Sequence, residues 1–545
     1  MDEQFSHLVQ VEIGGVQSYI FNGSRLREWR GASALLDKAE RVDISTTIAD
    51  LSDQATILRQ GGGVVVIGVH PGGDPSRVQQ AITDAYRRAA PGADVYGAQI
   101  PLSGTTAKEV QAALSKLAFA VERNRGVSLA PDMHGALLGP MERPCDSCGE
   151  RPAAVATEIA DDGRLVCTIC DHKGRYGGNV RRGDASASVL ERFQRYLETQ
   201  DEDAAAGFRV QPKHIASNLP DDLNAIAETG DALALIQADG NSLGKTVQSL
   251  TSLAQYEALA DRIARAVEES VFETLAQHGP QPRANGKAVL PWEILFLGGD
   301  DILIATADTI AVDVISSLIQ SIETRTREVF AAPPLDALDR SFLSVGAGLV
   351  VADAHVPIAT LRTLAHDLER EAKKRTYRRQ NESKADAEIS TVDFHRITGS
   401  GSASINKIRT QALTPQRAAT YEAVQLTKRP FTLEELRDVV AVANAWKSAG
   451  LPNNKLHALR QSVFESPSEA MRTWTHTVGR SSSQHAEAWM DFHRLLESAD
   501  DATSIRPPFV ITATDGASEN SANGDKKCLE AATPLLDVLD IHALL

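Results

Sequence analysis

The chain has 545 residues, a length that corresponds to roughly three to five domains and excludes a single globular core. Apolar residues make up 42% and charged residues 23%, and the apolar stretches run only a few residues, so no segment is expected to span a bilayer. Lys plus Arg total 56 against 72 for Asp plus Glu, a net charge of −16 that excludes a surface wrapped throughout by nucleic acid.

Residues 1–130 are predicted to form a first domain with the element order βαββαβ. Its start, MDEQFSHLVQVEIGG, lacks a basic region followed by an apolar one, so we expect a strand instead of a signal peptide, and a cytoplasmic location. The predicted elements are a strand over LVQVEI, a helix from Ser24 to about Ala39, hairpin arms over Ala55–Leu58 and Val64–Val69, a helix over Pro75–Ala89, a strand over Val95–Leu102 and a helix over Ala107–Arg123.

Four of the five cysteines lie in two Cys-x-x-Cys pairs within residues 131–185. Cys145 and Cys148 are followed, after an 18-residue spacer, by Cys167 and Cys170. This spacing predicts a structural Zn²⁺ site with four thiolate ligands in a reducing compartment. The alternatives are a site that has lost its metal and a redox-active cysteine pair.

A helical connector is predicted over residues 186–228, with a helix around Ala187–Leu197, and the order of the first domain then returns over residues 229–395. The elements of this second copy are a strand over Ala232–Ala238, a helix near Gln255–Ala276, hairpin arms over Glu293–Leu297 and Ile302–Ala305, a helix near Ile310–Val329, a strand over Phe342–Val351 and a helix over Pro357–Lys374. The chain thus contains an approximate internal repeat.

Residues 396–512 are predicted to form a helical C-terminal domain, from periodic segments near Thr432–Ala449, Leu456–Phe464 and Ser483–Ala499. Residues 513–545 are predicted to be a flexible linker, rich in Gly, Ser, Asn and Asp, with a short amphipathic tail. The predicted fold class is α+β, with two ferredoxin-like domains, an intervening zinc module and a helical C-terminal domain.

Carboxylates follow two strand ends of the second copy. The first strand ends in Asp239, and the hairpin turns through Asp300 and Asp301. A split βαβ unit places the first strand beside the hairpin, so we expect the three acids to converge. Clustered carboxylates repel one another unless cations neutralise their charge. Mg²⁺ (or Mn²⁺) ions, bound together with a nucleoside triphosphate, would remove this repulsion. The pattern therefore predicts two-metal nucleotidyl transfer on Asp239, Asp300 and Asp301.

Residues beside these acids are predicted to contact the nucleotide. They are Gly240, Asn241, Gly298 and Gly299 next to the carboxylates, and Lys373 and Lys374 on the last helix of the second copy, which would neutralise a triphosphate. The alternatives are a purely structural tight turn for GGDD and a solvated basic helix face for the lysines.

Two further motifs limit the prediction. Gly244-Lys245-Thr246 ends like a P-loop, but the glycine that a P-loop requires five residues before Gly244 is Asp239. The hairpin of the first copy turns through Gly61-Gly62-Gly63 with no acid, so it holds no pair of metal ions. Its glycines permit a close approach of backbone to a ligand. Nucleotide binding without reaction and a structural role both remain open for this first copy.

The chain resembles the large polymerase-like subunit of type III CRISPR effector complexes, in a form without an HD nuclease domain. The segments that carry the resemblance run in the family's order from about residue 8 to 375. They are IGGVQSYIFNGSRLREWRGAS, GGGVVVIGV, the Cys-x-x-Cys pairs, ADGNSLGK, FLGGDDILIA and SVGAGLVVADAHVPIATLRTLAHDLEREAKK.

The resemblance implies two palm domains, a zinc module, a helical C-terminal domain and synthesis of cyclic oligoadenylates from ATP when target RNA is bound. It carries the metal-ligand role onto Asp239, Asp300 and Asp301. It also implies other subunits of the effector complex, guide RNA and target RNA as partners. The first palm strand begins near residue 8 and the only His-Asp dipeptide is His366-Asp367, so DNA cleavage by an HD site is not expected.

Two rival functions stay open. The chain is alternatively a non-catalytic RNA-binding scaffold subunit of the same complex, or a stand-alone cyclic nucleotide synthase in antiviral signalling. The intact GGDD motif favours catalysis over the scaffold, since a scaffold has no need of clustered acids.

Overall fold

The computed structural model of the chain describes residues 5–104, 106–127, 139, 141–156, 163–283, 286–382, 389–397, 404–413, 416–418, 421–498, 504–515 and 527–545. It divides into two units. The first comprises Met1–Thr229, Ala238–Ala307 and Ser317–Ser344, and the second comprises Gly230–Gln237, Asp308–Ser316 and Val345–Leu545. Among the described helices, none is long and apolar enough to cross a membrane.

The first palm is a four-stranded antiparallel sheet with helices. Its strands are β1 (His7–Gly14), β2 (Ala55–Gly61), β3 (Val64–Val69) and β4 (Asp94–Pro101), in the order β2-β3-β1-β4. Its helices are α1 (Val16–Phe21), α2 (Leu26–Lys38), α3 (Ser45–Ala49), α4 (Pro75–Ala89) and α5 (Ala107–Val127), with a π-helical segment over Ala39–Ile44. The predicted βαββαβ order is confirmed, and the structure adds α1 and α3, which are too short to produce a periodic pattern.

A buried carboxyl in this palm makes its stability depend on pH. Glu40 accepts a hydrogen bond at Oε1 from the backbone N–H of Gly63, at 2.6 Å. Burial, and then the charge of Asp37, raises the pKa of Glu40 from 4.5 to about 7. A carboxyl with a raised folded-state pKa stabilises the fold fully below its unfolded pKa, and this contribution is lost as the pH rises through the folded-state pKa.

We therefore expect Glu40→Gln, which cannot ionise, to become more stable relative to the wild type as the pH rises from 5 to 8. The gain in the free energy of unfolding is expected to reach roughly 3 kcal/mol. Urea unfolding of both proteins across this pH range measures the difference. A difference that does not vary with pH contradicts the assignment.

The cysteine module packs on the first palm through one helix. The module contains β5 (Val155–Ala156), β6 (Leu165–Val166) and α6 (Thr168–Arg182). Helices α2 and α6 meet at glycines, since a Cβ atom on Gly31 would lie 1.8 Å from the carbonyl oxygen of Lys173 and one on Gly177 would lie 1.9 Å from that of Arg27. Only glycine permits so close an approach of two helix backbones. Residues 131–138, 140 and 157–162 of the predicted module lie outside the described residues.

The connector is helical, as predicted, and leads to the second palm. The connector helices are α7 (Val189–Thr199), α8 (Glu202–Ala205), α9 (Pro212–Ser217) and α10 (Leu223–Ala227). The strands that follow are β7 (Leu233–Gly240), β8 (Gln281–Pro282), β9 (Ala288–Val289), β10 (Trp292–Gly298), β11 (Asp301–Ala307), β12 (Val345–Ala352) and β13 (Thr391–Arg396). The helices are α11 (Leu243–Ser249), α12 (Leu253–Ala276), α13 (Asp308–Ala331) and α14 (Ile358–Glu382).

The second palm repeats the strand arrangement of the first. With β16 (Phe431–Thr432), its sheet has the order β10-β11-β7-β12-β13-β16. The four strands β10-β11-β7-β12 correspond to β2-β3-β1-β4, which confirms the predicted repeat. Strand β13 extends the sheet, in parallel pairing with β12. The α+β fold class is thereby confirmed.

The C-terminal region contains the predicted helices and a sheet that the sequence analysis missed. The remaining helices are α15 (Ile405–Lys407), α16 (Leu433–Ser448), α17 (Asn453–Glu465), α18 (Pro467–Gly479), α19 (Ser483–Glu497) and α20 (Leu535–His542), with a π-helical segment over Ile408–Ala412. The remaining strands are β14 (Gln416–Ala418), β15 (Tyr421–Gln425), β17 (Ser504–Arg506), β18 (Phe509–Asp515) and β19 (Lys527–Ala532), and they form a sheet in the order β14-β15-β19-β18-β17.

The prediction of a flexible tail over residues 513–545 is wrong for its last part. Residues 527–545 form β19 and α20, and every helical residue from Leu535 to Ile541 is buried. Residues 516–526 of the predicted linker lie outside the described residues. The boundaries predicted for the domains remain predictions.

Buried charges fix α20 in the second unit. Arg429 donates hydrogen bonds to Asp537 at 2.7 Å and Asp540 at 3.1 Å, and its guanidinium lies 4.4 Å from the ring centroid of Phe394. Removing one partner of a buried pair leaves uncompensated charge, so we expect Arg429→Ala to lower the stability of this unit by about 3–5 kcal/mol. Urea unfolding measures the change.

The exposed ion pair of Arg472 with Glu469 supplies the control. Solvent screens this pair, so Arg472→Ala should leave the unfolding midpoint unchanged. Equal effects of the two substitutions would contradict the stabilising role of the buried network.

Candidate active site

The acid of the first strand of the second palm lies at the end of β7. The strand interior is buried, and Asp239 and Gly240 are its last two residues. Because β7 lies between β11 and β12 in the sheet, its end has a fixed position beside the hairpin. The predicted location of Asp239 at a strand end is confirmed.

The GGDD motif forms the turn between β10 and β11. Gly298 is the last residue of β10, and Asp301 is the first residue of β11. Gly299 has a φ of +68°, a left-handed conformation that favours glycine. The tight turn places Asp300 at its tip, next to the end of β7.

Asp239 and Asp300 lie in hydrogen-bonding contact. Burial raises the pKa of Asp300 to about 7, and the charge and hydrogen bond of Asp239 contribute to the shift. A Cβ atom on Gly240 would lie 2.8 Å from Oδ2 of Asp300, so glycine leaves the space that this carboxylate occupies. A divalent cation would relieve the repulsion, and Mg²⁺ is typically held by one or two carboxylates together with substrate phosphates. The donor set therefore fits such an ion.

The three acids do not form one tight cluster of the kind that the cysteines form. Among the described residues, the four cysteines are the only group of three or more His, Cys, Asp or Glu side chains whose ligand atoms all lie within 4.8 Å of one another. The convergence of Asp239, Asp300 and Asp301 on shared metal ions stays a prediction. The metal-binding roles of all three stay predictions.

An apolar cleft opens beside Asp300. Its walls include Leu243, Val247, Leu259 and Ile263. Apolar clefts with a few polar groups are typical ligand sites. Gly299 and Asp300, which were predicted from sequence, also line the cleft. The four apolar side chains were not predicted, because α11 and α12 supply them at ordinary core spacing.

Two polar residues near the GGDD turn were also missed. Arg59, on β2 of the first palm, forms a hydrogen bond with Tyr256. Its positive charge offsets part of the rise in the pKa of Asp300 that burial and Asp239 cause. Gln17 donates a hydrogen bond from Nε2 to Oδ2 of Asp301 at 2.9 Å. The only signal in the sequence for Gln17 is its place two residues after the Gly14-Gly15 pair, where the first strand ends.

Asn241, predicted to contact the nucleotide, is buried and held by backbone hydrogen bonds. Its backbone N–H donates to the carbonyl oxygen of Ser344 at 2.8 Å, and its own carbonyl oxygen accepts a hydrogen bond from Arg340 at 2.8 Å. Gly240, Gly298 and Gly299 lie at the acidic pair, as described above. Contact of these four residues with a nucleotide stays a prediction.

The two predicted phosphate-binding lysines lie on α14 in the second unit. Lys373 pairs with the buried Glu369 at 2.7 Å, and Lys374 pairs with Glu371 at 2.6 Å. Each lysine therefore already has a carboxylate partner on its own helix. Their contact with a triphosphate stays a prediction.

The four predicted cysteines form one cluster. Their sulfur atoms all lie within 4.8 Å of one another, and Sγ of Cys148 lies 4.0 Å from Sγ of Cys167. Backbone N–H groups donate to the sulfurs, from Cys167 to Cys145 at 3.2 Å and from Cys170 to Cys167 at 3.4 Å. Such hydrogen bonds stabilise thiolates, and four closely spaced thiolates are the donor set of a structural zinc site. The cluster therefore fits Zn²⁺.

Comparison with known proteins identifies the second palm. Residues 232–382 match the family model described as Cas10/Cmr2, second palm domain. This range contains Asp239 and the GGDD turn. No curated protein matches the chain.

Fifty-three chains of solved structures are similar to this chain. A Csm1-Csm4 cassette in complex with pppApApA is 15% identical, with a TM-score of 0.47 and coverage of 99% of this chain and 69% of that chain. A cassette in complex with cA4 is 14% identical, with a TM-score of 0.44 and coverage of 90% and 69%. The Csm1-Csm4 subcomplex of the type III-A CRISPR-Csm interference complex is 15% identical, with a TM-score of 0.39 and coverage of 68% and 53%.

The chain thus spans about half of the length of the last of these proteins. The family model locates the similarity in the part of the chain that carries the acidic pair. Residues 232–382 match the second palm domain of Cas10/Cmr2, and the resemblance to the large subunit of type III CRISPR effector complexes is confirmed over this part of the chain.

Proposed function

We propose that this chain is a nucleotidyltransferase that makes cyclic oligoadenylates from ATP as a subunit of an RNA-guided type III CRISPR complex. The observation that supports the proposal most strongly is the contact between Asp239 and Asp300 at the edge of an apolar cleft, in a Cas10/Cmr2 palm. The choice of ATP, the cyclic product, the other subunits, and guide and target RNA rest on the resemblance of the sequence to this family.

The acidic pair would hold Mg²⁺ or Mn²⁺ together with the phosphates of the substrate. The bound ion would stabilise negative charge at the reacting phosphate and activate the attacking hydroxyl. The residues of the chain position the reactants. The cleft beside Asp300 would hold a base against Leu243, Val247 and Ile263, and Arg59 would add positive charge next to the acids.

In the proposed reaction, the 3′-hydroxyl of one ATP attacks the α-phosphorus of another. A new phosphodiester P–O bond forms, the bond to the β-phosphate breaks, pyrophosphate leaves and the hydroxyl proton passes to solvent. Repeated transfer, followed by attack of the terminal 3′-hydroxyl on the first α-phosphorus, closes the ring. Asp301, Lys373 and Lys374 remain candidates for further metal and phosphate contacts.

Structural Zn²⁺ is proposed for the four cysteines. The ion would hold the start of α6, because Cys167 is the N-cap residue of this helix. Since α6 packs on α2, the zinc module would support the first palm and take no part in catalysis. The zinc content and thermal stability of cysteine variants test this role.

The function is tested by incubating the full chain with ATP or GTP and Mg²⁺ or Mn²⁺, with and without candidate partner subunits and target RNA. Mass spectrometry identifies the products. We expect cyclic oligoadenylates, and dependence on target RNA would support the proposed complex. Bound ATP with no product under any of these conditions would contradict the proposal and favour the scaffold.

A further inference from the structure

Helix α1, which follows the first strand of the first palm, contacts the GGDD turn of the second palm. Gly15, in a left-handed conformation with a φ of 64°, begins α1, and Gln17 is the second residue of that helix. Its Nε2 atom donates to Oδ2 of Asp301 at 2.9 Å, although the two residues lie 284 positions apart in sequence. The first palm thereby holds one carboxylate of the GGDD motif.

The hairpin turn of the first palm also lies against the GGDD turn. Gly61, Gly62 and Gly63 have φ angles of 142°, 66° and 82°. A Cβ atom on Gly62 would lie 3.2 Å from the carbonyl oxygen of Gly298, and one on Gly298 would lie 3.0 Å from the Cα atom of Gly62. The glycine turn therefore permits the backbones of the two hairpin tips to pack closely.

The glycine turn also contacts β1 and α1, the helix that carries Gln17. The carbonyl oxygen of Gly63 accepts a hydrogen bond from the N–H of Ile13 at 2.8 Å, and a Cβ atom on Gly63 would lie 2.4 Å from Cγ2 of Val16. The two contacts with the GGDD turn thus come from one packed part of the first palm.

We propose that the first palm is a positioning element for the GGDD turn, in which Gln17 orients the Asp301 carboxylate and the Gly61–Gly63 turn fixes the position of the turn backbone. The proposal rests on the function proposed above. It gives the acid-free hairpin of the first palm a role toward the second palm that requires no nucleotide of its own.

The chemistry of an amide suits this role. A carboxylate that binds a metal needs hydrogen bonds that fix its orientation, and loss of such a partner typically costs 10–100-fold in metal affinity or activity. A lysine or arginine at this position would compete with a cation for the carboxylate. The neutral amide of Gln17 donates one hydrogen bond and leaves the negative charge of Asp301 in place.

Mn²⁺ binding to the full chain, followed by electron paramagnetic resonance without nucleotide, tests the role of Gln17 apart from activity. Gln17→Met keeps the length of the side chain and removes the donor. We expect the Mn²⁺ dissociation constant to rise about 10-fold. The matched control is Gln10→Met, since Gln10 donates to Glu12 of the first palm at the same distance of 2.9 Å. An unchanged dissociation constant in Gln17→Met would overturn the role of Gln17.

The glycine turn is tested with a second pair of variants. Gly62→Ala adds a methyl group against Gly298, whereas Gly72→Ala adds one at a positive φ of 91° with no atom within 4 Å. Both incur backbone strain, but only the first displaces the GGDD turn. We expect weaker Mn²⁺ binding and a lower kcat, with little change in KM for ATP, in Gly62→Ala alone. Equal effects in both variants would overturn the role of the turn.

The two proposals fail in different ways. If the wild type binds Mn²⁺ and the Gln17 and Gly62 variants weaken that binding, the positioning role holds even when no cyclic product forms. If the wild type makes the product and these variants do so at the same rate, the positioning role is wrong and the proposed function stands.

Discussion

Asp300→Asn is expected to reduce cyclic oligonucleotide synthesis at least about a thousandfold, which corresponds to roughly 4 kcal/mol of activation free energy. The amide keeps the shape of the side chain and removes its charge, so it cannot pair with Asp239 to hold a divalent cation. Because the repulsion between the two acids disappears, the substitution should not lower the thermal stability of the first unit. Initial rates and thermal unfolding of the same preparation measure both quantities.

The matched control is Asp336→Asn, which changes an exposed carboxylate of the same unit. We expect its rate to equal that of the wild type. A rate for Asp300→Asn within tenfold of the wild type would remove the acidic pair from the mechanism. A large loss of stability would show instead that Asp300 acts through the fold.

Substitution of Cys145 and Cys167 by Ser is expected to remove bound zinc and to lower the melting temperature of the first unit by roughly 10 °C or more. The physical reason is that the start of α6 would lose its anchor, and α6 packs on α2 through Gly31 and Gly177. Zinc content by mass spectrometry and thermal unfolding with and without a chelator measure the effect.

Cys528→Ser, which changes the one cysteine outside the two Cys-x-x-Cys pairs, is the control. Its zinc content and melting temperature should match those of the wild type. One zinc ion per chain in the double variant would contradict the assignment. A wild type that contains no zinc and does not respond to the chelator would also contradict it.

The location of the acidic pair was predictable from sequence because it depends on local signals. Buried strands that end in Asp239 and in the GGDD turn are visible as runs of apolar residues followed by turn residues. The βαββαβ order then brings those two strand ends together. The order of the elements does not indicate the directions of the side chains, so a metal site shared by Asp301 and Asp300 stays a prediction.

The contacts between the palms were not predictable in this way. Gln17 and Asp301 lie 284 positions apart, and no periodicity relates a residue of one domain to a residue of another. The glycine turn of the first palm was recognised as a site of close backbone approach. The sequence does not specify that the approaching partner is Gly298.

The structure of the C-terminal segment, residues 527–545, was also not predictable from sequence. A polar stretch before it has the composition of a linker, and the segment after it reads as a short amphipathic tail. Its two acids, Asp537 and Asp540, find their partner in Arg429, more than 100 residues earlier. Since ion pairing over this distance depends on the tertiary fold, composition alone predicted a tail where the structure has a buried helix.

The most direct test of the central claim uses ATP labelled at the α-phosphate and quantifies pyrophosphate together with the labelled products, in the presence of the partner subunits and target RNA. Closure of a ring releases one pyrophosphate for every adenylate incorporated. The account predicts this ratio of one to one, a product without a 5′-triphosphate, and loss of both in Asp300→Asn. Release of inorganic phosphate without adenylate transfer would contradict it.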